Sequence, residues 1–140
     1  MSTSDKAKKV VDTMMANDFY SQWLGIEVLE AGEGISKLKM TVRKEMLNGF
    51  GIAHGAITYA LADSALAFSS NSHGLKSVSV ETSISHIVGV NEGDTLIAEA
   101  KEVHKSRKIG VYDISVSNQK NEKVALFKGT VYRTSKEWDV

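Results

Sequence analysis

The chain contains no cysteine. Disulfides, thiolate metal sites and cysteine nucleophiles are excluded together, and nothing about secretion follows. An excess of charge of either sign is also missing: 17 Lys and Arg balance 17 Asp and Glu, and the pI is near 6.9. With the basic residues spread rather than massed, a nucleic-acid surface is not indicated. No apolar run approaches the ~18 residues of a membrane span. The N-terminal charges Asp5, Lys6, Lys8 and Lys9 are followed by no apolar signal core. The expectation is a soluble, cytoplasmic protein. At 140 residues it suits one domain with a real core.

The most informative absence is local. Between Met46 and Leu75 there is no Lys, Arg or Glu, and the one Asp is Asp63. It stands in Ala-Ile-Thr-Tyr-Ala-Leu-Ala-Asp-Ser-Ala-Leu-Ala-Phe, residues 56 to 68, which is apolar on nearly every face and reads as a buried helix. A buried carboxylate is expensive unless it is paired, hydrogen-bonded or useful. The plain alternative is an Asp that faces water or a helix partner.

Asn48-Gly49-Phe50-Gly51-Ile52-Ala53-His54-Gly55 precedes that helix and reads as a loop entering it. The first backbone N–H groups of a helix lack intrahelical partners, and the macrodipole favours negative charge there. Gly55 therefore offers an N–H to a developing oxyanion, with no side chain to block a substrate carbonyl. The competing reading is that Gly49, Gly51 and Gly55 serve a tight turn and close packing. Eight residues separate Gly55 from Asp63, about 12 Å along one helix. One carbonyl cannot touch both. If the two cooperate, Asp63 of one subunit meets Gly55 of another, and the active unit is at least a dimer.

Along the rest of the chain no linker, repeat or low-complexity segment appears. Residues 4–17 are helical in pattern, with Ala7, Val10, Val11, Met14 and Met15 on one side, and 18–24 continue it loosely. Strands are expected at 26–31 and 35–42 around Gly32-Glu33-Gly34, and the central helix at about 53–71. Residues 77–88 alternate, with Val78, Val80, Thr82, Ile84, His86 and Val88 on one face of a half-buried strand. Three further strands follow at 95–104, 109–117 and 123–134. One long helix and an antiparallel sheet to cover it make an α+β fold.

Asn48-Gly49, His54-Gly55 and Asp63-Ser64 in this order resemble the active-site segment of the hotdog-fold acyl-CoA thioesterases, of the PaaI-like and thioesterase superfamily member 2 type. The resemblance extends through residues 77–85, Gly93-Asp94-Thr95-Leu96 and Gly129-Thr130-Val131-Tyr132-Arg133, covering roughly 20 to 134. It implies a curved antiparallel sheet wrapped around the central helix, with residues 1–20 as a helical extension of a single hotdog domain. It also implies an acyl-CoA substrate, no separate cofactor, and assembly as a dimer or tetramer.

The resemblance carries roles for particular residues. Gly55 would polarise the thioester carbonyl, and Asp63 would attack it or deprotonate a water. Asn48 and Ser79 match residues that orient the water or thioester. For Asn48 an Asx-turn is the plain alternative, and for Ser79 an ordinary exposed strand serine. His54 and Ser64 would support the loop and helix. Lys105, Ser106, Arg107 and Lys108 form a hairpin rich in phosphate donors, suited to the CoA nucleotide or simply solvated.

Phe50, Tyr59, Phe68 and His86 would wall the acyl pocket, whose preference, aromatic or medium-chain, stays open. His73, His86 and His104 show no metal-ligand spacing, so no metal is expected. One departure stands out. Relatives often carry Asn-aromatic-Leu-Arg-Pro where this chain has Ser85-His86-Ile87-Val88-Gly89, and the chain has no proline at all. Two other functions compete: a 3-hydroxyacyl thioester dehydratase using His54 with Asp63, and a non-catalytic acyl-CoA binding module.

Overall fold

The computed structural model describes residues 2–140. Helix α1 (Thr3–Asn17) is capped by Ser2, whose Oγ accepts from the Asp5 N–H at 3.1 Å, and it buries Ala7, Val10 and Val11. Asp18 breaks the run and caps a separate short helix, α2 (Phe19–Leu24), which Gly25 closes at φ 75°. Strands β1 (Glu27–Gly32) and β2 (Ile35–Thr41) form a hairpin, and a single 3-10 turn, Lys44–Met46, leads to the glycine loop. Helix α3 (Gly55–Asn71) follows, then β3 (Leu75–His86), β4 (Thr95–Lys105), β5 (Ile109–Ser117) and β6 (Lys123–Glu137).

All six strands join one antiparallel sheet in the order β1-β2-β4-β5-β6-β3. Four of its five pairings contain a register shift. Such bulges increase local twist and bend the sheet. The sheet bends around α3, which touches every strand. Leu61, Leu66 and Phe68 of α3 meet Leu38, Met40, Leu96, Ile114 and Phe127 from the sheet in one core. Burying each such side chain stabilises the fold by about 1.5–3 kcal/mol. At Gly129 the sheet approaches the helix closely: a Cβ there would lie 2.5 Å from Leu66 Cδ2.

The C-terminal end of α3 is tied down by a side chain. Asn71 Nδ2 donates to the Ser77 carbonyl at 3.1 Å, and Asn71 Oδ1 accepts from the Ser77 N–H at 2.9 Å and from Trp138 Nε1 at 2.9 Å. The helix therefore enters β3 in a fixed direction, antiparallel to β6.

The expected alternation of β3 is corrected here. Val78 and Val80 are 57% and 61% exposed, while Ser77 is buried, and only Ile84 of the anticipated apolar face packs against the core. The cause is a bulge at Val80: Ser79 pairs with Val131 and Glu81 with Thr130, leaving Val80 as the extra residue. One inserted residue inverts the side-chain parity of everything beyond it.

Candidate active site

The loop before α3 is built by Asn48. Its side-chain Oδ1 accepts from the Phe50 N–H at 2.9 Å and the Ile52 N–H at 3.3 Å, an Asx-type turn, and its own N–H donates to the Ile52 carbonyl at 2.7 Å. Gly51 sits at φ 81°, a conformation that favours glycine. The His54 N–H then donates to the Met46 carbonyl at 2.8 Å, and His54 Nδ1 caps α3 by accepting from the Ala56 N–H at 3.0 Å. An Nδ1 that accepts leaves any ring proton of the neutral imidazole on Nε2. His54 is thus the helix cap, a role that its residue type does not advertise.

Gly55 is the first residue of α3, and among the described residues its N–H has no acceptor. It lines a cavity of about 250 Å³ together with Asn48, Thr58, His86 and the segment 87–90. His86 Nε2 lies 3.3 Å from where a Cβ on Gly55 would be. Residues 86–90 therefore form the wall of this cavity opposite Gly55. Asn48, Gly55 and His86 thus line one cavity.

Asp63 lies elsewhere on the same helix. It lines a separate cavity of about 370 Å³ with Tyr59, Ser64, Asp18, Tyr20 and Ser21. Its carboxylate accepts no hydrogen bond from the described residues. Burial pushes the Asp63 carboxyl above the usual carboxylate range, and the Asp18 charge pushes it further. Tyr59 stands beside it, with its hydroxyl 2.6 Å from Thr82 Oγ1 and its ring edge-on to Phe127 at 5.3 Å. Ser64 is buried, with its Oγ 2.8 Å from Ser21 Oγ.

Several expected site residues stand apart within one chain. Ser79 is exposed on β3 and lines neither cavity. Phe50 is 92% exposed at the loop tip. Phe68 is not a pocket wall: it is fully buried in the core, because its position on α3 faces the sheet. Arg107 and Lys108 line a third cavity of about 450 Å³ with Leu75, Tyr132 and Arg133, and Arg133 Nη1 donates to the Ser106 carbonyl at 2.7 Å. Lys105 ends β4 beside them. Leu75 opens β3 just after α3 ends, so this hairpin stands at the end of the helix opposite Gly55. Among the described residues no three His, Asp or Glu gather in a metal-ligand group. Among the described residues no helix is long and apolar enough to cross a membrane. The contributions of Asp18, Tyr20 and Ser21 carry no sequence signal, since a polar residue at a helix break is ordinary.

Comparison with known proteins decides what this geometry belongs to. Residues 50–125 match the family model described as the thioesterase superfamily. The chain is 39% identical over 130 residues to the acyl-coenzyme A thioesterase PaaI of Escherichia coli K12, covering 93% of each chain. The chain belongs to the thioesterase superfamily. The solved structure of E. coli PaaI, from the phenylacetic acid degradation operon, superposes with a TM-score of 0.95, covering 97% of this chain and 99% of that one at 38% identity.

A variant of the phenylacetic acid degradation protein PaaI of Thermus thermophilus superposes at 0.81, with 36% identity over 84% of this chain and 100% of that one. A Streptococcus mutans protein solved with acetyl-CoA bound superposes at 0.78, with 29% identity over 81% of this chain and 91% of that one. This chain is accordingly a PaaI-like thioesterase, a thioester hydrolase with the hotdog fold.

Proposed function

We propose that this thioesterase hydrolyses an aromatic acyl-CoA such as phenylacetyl-CoA at a site shared between two subunits. The Gly55 N–H of one would bind the thioester oxygen and Asp63 of the other would activate the water. The observation that carries this reading is the placement of an unpaired backbone donor and an unpartnered carboxylate in two different cavities along one helix. Their separation of about 12 Å is too large for one carbonyl and its attacking oxygen. An antiparallel second copy of α3 would bring each Gly55 to the partner's Asp63.

The sheet edge favours such a second copy. β3 is a twelve-residue edge strand with Val78 and Val80 exposed, and long apolar edges are normally covered. The same proposal has residues 1–140 acting as one hotdog domain in a cytoplasmic dimer or tetramer, with 1–20 as its helical extension. Ser79, on that edge, would reach the shared site from across the interface, and Lys105, Ser106, Arg107 and Lys108 would hold the CoA phosphates.

In this arrangement the Gly55 N–H and the positive end of α3 stabilise the tetrahedral oxyanion more than the planar thioester, which lowers the barrier. An Asp63 with raised proton affinity suits a general base, which works best with a pKa near the operating pH. The water adds to the carbonyl as Asp63 takes its proton. Collapse then breaks the C–S bond, and the proton held by Asp63 passes to the leaving sulfur, releasing the acid and CoA and restoring the carboxylate. His54 Nδ1 is committed to the Ala56 N–H, and His54 does not line the cavity of Asp63, which weighs against a dehydratase pairing of the two. An acyl-CoA panel assayed for free thiol tests the substrate class. Phenylacetyl-CoA should give the highest kcat/KM, and a maximum at an unbranched medium-chain acyl-CoA would overturn the aromatic assignment.

A further inference from the structure

Asp18 Oδ2 accepts from Ser21 Oγ at 2.6 Å, while Asp18 Oδ1 accepts from the Ser21 N–H at 2.9 Å. A serine has one hydroxyl proton. The short bond to a carboxylate takes that of Ser21, so at the 2.8 Å contact between the two hydroxyls Ser64 must be the donor. The chain of bonds therefore has a direction, from Ser64 on α3 through Ser21 on α2 to Asp18. It links residues 43 apart in sequence and is closed to solvent at Ser21, which is 1% exposed. Ser64 is the immediate neighbour of Asp63, and Asp18 opens onto the same cavity as Asp63.

We infer that α2 is part of the catalytic apparatus: Asp18, held over α3 through Ser21 and Ser64, is a positioning residue that sets the electrostatic environment of Asp63. This rests on the reading of Asp63 as the general base. The arrangement does two things. It places a second carboxylate across the cavity from the base, and it turns the Ser64 hydroxyl proton away towards Ser21, so that this proton is not offered to the Asp63 carboxylate. Both raise the proton affinity of the Asp63 carboxylate and so its strength as a base. Among the described residues the titratable side chains lining this cavity with Asp63 are Asp18, Tyr20 and Tyr59. No residue of the strands, or of α1 itself, lines it, although all of them pack on α3. Among the described residues no cationic side chain lines the cavity to offset the Asp18 charge. The raised proton affinity of Asp63, due first to burial and then to Asp18, agrees with this geometry.

The test is the pH profile of kcat/KM for wild type, Asp18→Asn and Asp63→Asn, with the Asp63 carboxyl carbon followed by NMR across the same pH range. Asparagine keeps an oxygen for the Ser21 N–H and removes the charge. In Asp18→Asn the acidic limb and the Asp63 titration should both move to lower pH, and the plateau kcat should fall roughly two- to fivefold with a smaller change in KM. A merely structural role would lower the plateau and leave the limb in place. An unmoved limb and carbon titration overturn the inference, provided Asp63→Asn is inactive. If Asp63→Asn instead turns over like wild type, the general-base reading is what fails. Should Asp18→Asn not fold, the wild-type Asp63 titration is repeated in dilute buffer and at about 1 M NaCl, where charges are screened beyond about 3 Å. A midpoint that drops with salt supports Asp18 as the source, and a fixed midpoint overturns it.

Discussion

The His86 imidazole fills the space that a side chain at Gly55 would need: its Nε2 lies 3.3 Å from the position of a Cβ there. β3 ends on this histidine, so the sheet closes against the helix start, and Gly55, whose N–H has no acceptor among the described residues, lines the cavity there. Glycine at 55 thus satisfies two demands at once, a close approach by His86 and an open path to a backbone donor.

That pairing makes a clean test of the donor. Gly55 is the first helical residue, where proline is well tolerated, and His54 already has the extended backbone that proline requires before it (φ −61°, ψ 139°). Gly55→Ala and Gly55→Pro both place a Cβ against His86, but only proline deletes the N–H. Both variants should fold, and Gly55→Pro should lose a further ~100-fold or more in kcat, the usual cost of one oxyanion donor. Equal kcat for the two folded variants would mean the N–H is unused.

Asp63→Asn should lower kcat by at least about 100-fold with KM little changed, since general-base groups contribute on the order of 10² to 10⁴. It should also raise the melting temperature at neutral pH. The folded-state pKa of Asp63 lies above its ordinary 3.8, so between the two values the folded chain keeps a proton that the unfolded chain has lost. Stability from this group is present below pH 3.8 and is lost as the pH rises through the folded pKa. The thermal advantage of the Asn variant should therefore shrink as the pH is lowered toward about 4. Differential scanning calorimetry from about pH 4 to about pH 8 reads this directly.

Mixing inactive Asp63→Asn subunits with inactive Gly55→Pro subunits should restore activity. About half of randomly formed dimers are mixed, each with one intact site of two, so recovery should approach about a quarter of wild type. Heterodimers confirmed by native mass spectrometry that release no thiol would disprove the shared site.

Gly129→Ala should destabilise the protein without touching the site. Its Cβ would stand 2.5 Å from Leu66 Cδ2 and 2.9 Å from Cδ1, and Leu66, at 1% exposure, has no room to swing away. Overpacking of this kind costs about 1–3 kcal/mol. Denaturant titration should show the loss, with kcat/KM of the folded fraction near wild type.

Local chemistry made much of this protein legible. The change of period from 3.6 to 2 after residue 71, the turn glycines and the lone carboxylate of an uncharged stretch marked α3, the hairpins and Asp63, because helix and strand periodicities act over a few residues. The motif around Asn48, Gly55 and Asp63 carried the family, and the spacing of the last two already required a second subunit if they act on one carbonyl. The exposed face of β3 was decided by one bulge at Val80, which depends on how β3 meets β6 rather than on its own alternation. The cap supplied by His54, the burial of Phe68 and the approach of His86 to Gly55 depended on where the loop and sheet end fall in space. So did the bond chain from Ser64 through Ser21 to Asp18: its Ser21–Ser64 link joins residues 43 apart, and a hydrogen bond depends on distance and direction, which only the packing of α2 on α3 supplies.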